Sequence, residues 1–177
     1  MLYFWKNDNV SMFKKIIFLI LIIFAFKGCT RDDICPDGTA VTPNLVVVFK
    51  DFANPINDKK VTFLTVLTDN SDSIAIVNIE STDSILIPLN TNSDTSRYLF
   101  KRTIFNGTDT ISRNFDKLTF IYTRKNGYVN RACGFKTEFY DLDFDLENQG
   151  TENWIKQVTI NRDTVNDENS AHVTILH

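Results

Sequence analysis

The chain has 177 residues, 43% of them apolar and 12% aromatic, which excludes a disordered acidic tail and allows one domain with a substantial core. Lys6, Lys14, Lys15, Lys27 and Asp8 all fall in the first 28 residues, so the remaining 149 carry 15 basic against 21 acidic residues, a net charge of −6. That balance argues against a nucleic-acid partner held by phosphate neutralisation.

Ile16 to Phe26 reads IIFLILIIFAF, eleven apolar residues without a charge. A bilayer-spanning helix needs roughly 20, so a permanent transmembrane segment is disfavoured. Lys14 and Lys15 precede the run, as in the basic and apolar regions of a secretory signal peptide, here assigned to residues 1–28. Met12 opens a more ordinary signal than Met1 does and is the alternative start.

Gly28-Cys29 follows the run and resembles a bacterial lipobox, in which the cysteine is acylated. Phe26 and Lys27 stand where that pattern has Leu and a small residue. Lipid on Cys29 would contribute about 0.8 kcal/mol per buried CH₂ and hold a secreted domain on a membrane. The competing reading is an ordinary cysteine behind an uncleaved anchor. Thr30-Arg31-Asp32-Asp33 resembles a lipoprotein surface-export signal of Bacteroidota, and equally reads as a solvated tether, here residues 29–43.

With Cys29 lipidated, Cys35 and Cys133 remain for an oxidising compartment, where a structural disulfide between them is expected. A reactive thiol or a metal site is the alternative, although neither cysteine has a His or second Cys at ligand spacing.

Residues 44–177 read as one all-β domain: an antiparallel β-sandwich, immunoglobulin-like or a related Greek key, of about 8–10 strands. The expected strands are Leu45–Lys50, Val61–Thr68, Ser73–Ile79, Ser84–Pro88, Arg97–Phe105, Thr108–Arg113, Lys117–Lys125, Tyr128–Phe139, Trp154–Asn161 and Ala171–Leu176. Pro88 cannot donate to a ladder, so its strand is an edge or stops there. Asn106-Gly107 and Asn126-Gly127 each predict a hairpin turn. A turn at Asn126-Gly127 would set Phe120 opposite Cys133 and Leu118 opposite Phe135, with Cys133 and Phe135 facing inward.

Several constellations invite a chemical reading. Asp141, Asp143 and Asp145 with Glu152 match the spacing of a calcium loop, but Leu146 stands where that loop turns on Gly. Leu142, Phe144 and Leu146 alternate with the acids as in a half-buried strand, which is the preferred reading, and no metal site is assigned. His172 and His177 both lie within the last six residues, with His177 expected to fray, so no catalytic residue is nominated. Paired carboxylates for glycoside hydrolysis remain the residual enzymatic option. Tyr122, Arg124, Tyr128 and Arg131 form a candidate binding cluster, read either as a cation–π stack or as a face for sugar or a partner. Asp72-Ser73-Ile74, Asp83-Ser84-Ile85, Asp109-Thr110-Ile111 and Asp163-Thr164-Val165 resemble an O-glycosylation acceptor, and also a common strand opening.

The Cys-ended signal, Arg31-Asp32-Asp33-Ile34-Cys35-Pro36-Asp37-Gly38-Thr39 and Tyr128-Val129-Asn130-Arg131-Ala132-Cys133-Gly134-Phe135 together resemble an uncharacterised family of small Bacteroidota envelope lipoproteins. The resemblance runs from about Thr30 to Asn161 and is most specific in the two cysteine blocks. It implies an outer-membrane lipoprotein, periplasmic or surface-facing, with a β-sandwich domain and no catalytic residues or cofactor to carry over. The expected function is a non-catalytic interaction module for an envelope protein; a carbohydrate-binding or adhesive module is the alternative, and a hydrolase the third.

Overall fold

The computed structural model describes residues 8–25, 34–107 and 109–177. Two compact units emerge: Met1–Thr39 with Asn130–Gly134, and Ala40–Val129 with Phe135–His177. In the first, helix α1 (Asp8–Ala25) contains most of the apolar run and leaves Met12 and Ile16 to Ile22 exposed. Among the described residues no helix is long and apolar enough to cross a membrane. The same unit holds the Cys35–Cys133 disulfide, with Cα atoms 4.8 Å apart and a sequence separation of 98.

The second unit contains nearly all of two sheets packed against each other. Strands β1 (Leu45–Lys50), β4 (Ser84–Ile87), β8 (Gln157–Ile160) and β9 (Val173–Leu176) form one, in the order β4-β1-β9-β8. Strands β2 (Val61–Thr68), β3 (Ala75–Thr82), β5 (Thr95–Asn106), β6 (Asp109–Asn130) and β7 (Gly134–Leu146) form the other, in the order β3-β2-β5-β6-β7. The chain passes between sheets at Asp83, whose carbonyl accepts from Phe49 N at 2.8 Å. Pairing is antiparallel except between β1 and β9, which run parallel. Strand β4 lies at a sheet edge and stops one residue before Pro88, as the missing N–H requires.

The core is built by alternation. Leu45, Val47 and Phe49 of β1 and Val173 and Ile175 of β9 meet Leu64, Val66, Phe100, Leu118, Phe120 and Phe139 from the five-stranded sheet. All eleven are fully removed from solvent, and side chains of this size each stabilise by about 1.5–3 kcal/mol when fully buried.

The hairpin indicated at Asn106-Gly107 forms, its turn one residue later, with Asn106 paired to Asp109 and Gly107 at φ +63°. The turn expected at Asn126-Gly127 does not. Gly127 has no positive φ, β6 runs through it to Asn130, and the chain reverses over Asn130–Gly134. There Gly134 supplies φ +71° and the Asn130 side-chain oxygen accepts from Cys133 N at 2.7 Å. Cys133 therefore sits in a turn, not on an inward strand face, and Phe135 is 71% exposed. The cause is burial. The longer hairpin lays Asp141–Leu146 beside β6, closing with Glu147 N donating to Lys117 O at 3.0 Å. A turn at Asn126-Gly127 would slide β7 toward the Asp109 end of β6 and take Phe139 away from Tyr122, the ring it meets edge-on at 4.9 Å.

A one-residue bulge makes the long β7 workable. Thr137 and Phe139 face inward before it, and Leu142 after it, so the phase slips at Tyr140-Asp141. Asp141 adopts φ +55°, a region that Asp tolerates, and its carboxylate accepts from Thr123 Oγ1 at 2.8 Å. Asp141, Asp143 and Asp145 line the outward row of this edge strand, and among the described residues no acid, His or Cys cluster could hold a metal. Charge on an edge discourages pairing with another chain. Further along, Val165 and Phe139 exchange backbone bonds at 2.7 and 3.1 Å. A fork from Arg162 to Asp167 holds that covering loop, and the guanidinium keeps the Asp167 carboxyl low, at about 2.

Cys35→Ser and Cys133→Ser should destabilise the protein equally, by about 4–5 kcal/mol for a loop of this length, since each removes the same bond. Guanidinium unfolding of both variants and the double variant checks this. A double variant markedly less stable than either single one would refute the pairing.

Candidate functional site

The four residues of the candidate cluster do not share one exposed face. Tyr122 is 2% exposed and belongs to the core, edge-on to Phe139 at 4.9 Å. Its hydroxyl donates to Asn90 O at 3.0 Å and lies 2.6 Å from Ser96 Oγ, which itself accepts from Asn90 N at 2.7 Å. Tyr122 thus ties the β4–β5 loop to the sheet. Arg124 does the same from outside, donating to Asp94 Oδ1 and Thr91 O, both at 2.6 Å. Arg131 lies exposed in the Asn130–Gly134 turn. Tyr128 is the aromatic member at the surface: it is 64% exposed and stacks edge-on with exposed Phe135 at 5.4 Å.

Cys29, the expected lipidation site, lies outside the described residues, as does Thr30 to Asp33. Of the glycosylation-like segments, Ser73 and Ser84 are exposed and Thr164 is half-buried, whereas Ile85 and Val165 are core residues.

Sequence reasoning missed a polar cluster around Trp154. This side chain is 3% exposed, and its indole donates to Phe100 O at 2.9 Å. The Arg102 guanidinium sits 5.4 Å from the indole centroid and the His177 ring 5.7 Å from it. His177 does not fray. Its backbone N donates to Lys50 O at 3.1 Å, and its carbonyl accepts from Phe52 N at 3.2 Å and from Lys59 Nζ at 2.8 Å. Burial lowers the pKa of its imidazole. The same holds for His172, where Arg162 adds to the effect. His172 Nδ1 accepts from Val46 N at 3.0 Å, so that ring is a neutral structural acceptor.

Asp116 is the most consequential member of this interior. It is fully buried on β6, and Oδ2 accepts from Ile155 N at 2.7 Å. Oδ1 has no hydrogen-bond partner among the described residues. Burial raises its pKa above the ordinary 3.8, against lowering contributions from the Ile155 N–H and Asn153. A carboxyl whose folded pKa is raised loses stabilisation as pH climbs from the unfolded value through the folded one. No sequence signal distinguishes Asp116 from its exposed neighbours except its even spacing with Leu118 and Phe120.

Asp116→Asn keeps an acceptor for Ile155 N without a charge. Its stability relative to the native chain should therefore improve steadily as pH rises above about 4. Asp116→Ala leaves the Ile155 N–H unpaired and should cost about 1–3 kcal/mol at low pH. Thermal melts across pH 4–8 check both; a native-minus-Asn difference that does not vary with pH would refute a protonation-linked role.

Apart from α1, exposed apolar side chains gather on the outward face of the five-stranded sheet. Phe63, Phe105, Phe115 and Ile121 are each between 40% and 51% exposed, and Phe63 and Phe105 stack edge-on at 4.6 Å. Isolated exposed hydrophobics are ordinary, whereas paired aromatics on an open face concentrate contact area. No curated protein and no solved structure matches the chain. Residues 63–177 match the family of unknown function DUF6452, a span running from within β2 to the end of β9 and containing Phe100, Arg102, Asp116, Trp154 and His177. The chain therefore belongs to the DUF6452 family.

Proposed function

We propose that this protein is a membrane-anchored, non-catalytic envelope module that works by contact with another envelope protein, held in place by lipid on Cys29. The observation that carries the reading is the Tyr128–Phe135 pair. Their rings are 64% and 71% exposed and packed on each other at 5.4 Å, at the turn end of the β6–β7 hairpin. Rigid aromatics of this kind supply large contact area at low entropic cost and are enriched among interface hot spots. The polar interior supports the same reading, because both imidazoles and the Asp116 carboxyl are engaged in holding the fold. The rival reading, a carbohydrate-binding module, is supported by a separate cleft beneath Phe63 and Phe105.

Two measurements test this reading. Cys29→Ala should move the protein from the detergent phase to the aqueous phase; unchanged partitioning would place the anchor in the apolar run itself. A photo-crosslinking residue at position 128, in cells, should capture one envelope protein saturably, and Phe135→Asp should abolish that capture. Failure to crosslink any protein from a correctly localised chain would overturn the protein-partner reading.

A further inference from the structure

Phe63 is held in an unusual way. It lies inside β2 at φ +49°, a left-handed conformation that bulky aromatic residues rarely adopt. Strain of this kind persists only where the surrounding structure enforces it, and it clusters at binding sites. Here it breaks the alternation of the strand: Val61 and Leu64 are buried, while Thr62 and Phe63 both face outward. The displaced ring meets Phe105 edge-on at 4.6 Å, each being about two-fifths exposed.

The two rings rim a cleft of about 370 Å³ whose other walls are Thr65, Asn78, Ile79, Glu80 and Thr103. Thr103 is 9% exposed, and Thr65 Oγ1 donates to Asn78 Oδ1 at 3.4 Å. The volume falls at the lower end of small-ligand sites, about 300–1,000 Å³. Two hydroxyls, an amide and a carboxylate thus line a pit edged by aromatic faces.

We infer that this cleft binds a neutral hexose unit of a glycan, beyond the protein contact proposed at Tyr128 and Phe135. A pyranose ring has an apolar C–H face that stacks on an aromatic ring, and hydroxyls around its edge that both donate and accept. Asn78, Glu80, Thr65 and Thr103 match that edge, and Phe63 and Phe105 match the face. An apolar peptide side chain would instead leave the amide, carboxylate and hydroxyls desolvated without partners. A peptide strand could pair only along the free edge of β3, on the side away from β2 and β5, and so would not fill the cleft between these three strands. The carboxylate of Glu80, on a chain of net charge −3, disfavours acidic sugars.

The test uses the full chain in a detergent without a sugar headgroup, with cellotriose, maltotriose and triacetylchitotriose as probes. Saturation-transfer NMR should show ring C–H protons of at least one probe receiving magnetisation from the aromatic side chains, with a dissociation constant at or below about 1 mM. Phe63→Gly suits the φ +49° backbone, so it should keep or raise the melting temperature while weakening binding about tenfold or more. Phe105→Ala should weaken binding similarly, and Tyr128→Ala should leave it unchanged. No transfer to any probe at about 10 mM from folded protein, or equal transfer in Phe63→Gly, would overturn the assignment.

Discussion

The structure depends on how β7 is laid against β6. Strand β6 presents Asp116, Leu118, Phe120 and Tyr122 inward, and Phe139 of β7 must come beside Tyr122 to join that core. That demand places the chain reversal at Asn130–Gly134 and carries β7 to Leu146. It also requires the bulge at Asp141, since without a slip of phase either Thr137 and Phe139 or Leu142 would face solvent. Burying this apolar surface outweighs the preference of an Asn-Gly pair for a tight turn, because several side chains of about 1.5–3 kcal/mol each are at stake.

Polar groups inside the sandwich follow from the same packing. Tyr122 and Ser96 secure Asn90 by hydrogen bonds to both its N–H and its carbonyl, fixing the loop between sheets. Asp116 receives Ile155 N, and Trp154 donates to Phe100 O, so the segment entering β8 is fastened to the five-stranded sheet. His172 brackets Val46, accepting from its N–H through Nδ1 and donating to its carbonyl through the backbone. Each of these groups makes a structural hydrogen bond through one atom, while Asp116 Oδ1, His172 Nε2 and His177 Nδ1 have no partner among the described residues, a cost that the surrounding packing offsets.

The surface distributes its aromatics in two pairs of different character. Tyr128 and Phe135 stand out from the end of a hairpin, where a flat partner could cover them. Phe63 and Phe105 border a polar recess, where only a ligand carrying its own hydrogen-bonding groups leaves nothing unsatisfied. The protein-contact reading and the glycan assignment rest on these separate places, so either can fail without the other.

The sequence by itself determined the all-β class, the bounds of β1 and β2, the stop of β4 at Pro88, the Asn106-Gly107 hairpin and the Cys35–Cys133 bond. These are local matters: alternation of period two, a missing N–H, a residue that accepts positive φ, and a count of available thiols. Tertiary structure alone decided that β1 and β9 run parallel, that Gly127 stays extended, and that Tyr122 and His177 are interior. It also decided that Phe63 is turned outward. Each of these outcomes is set by which distant strand supplies the opposing surface, and the free energy of burial that selects it is not written in any short stretch of residues.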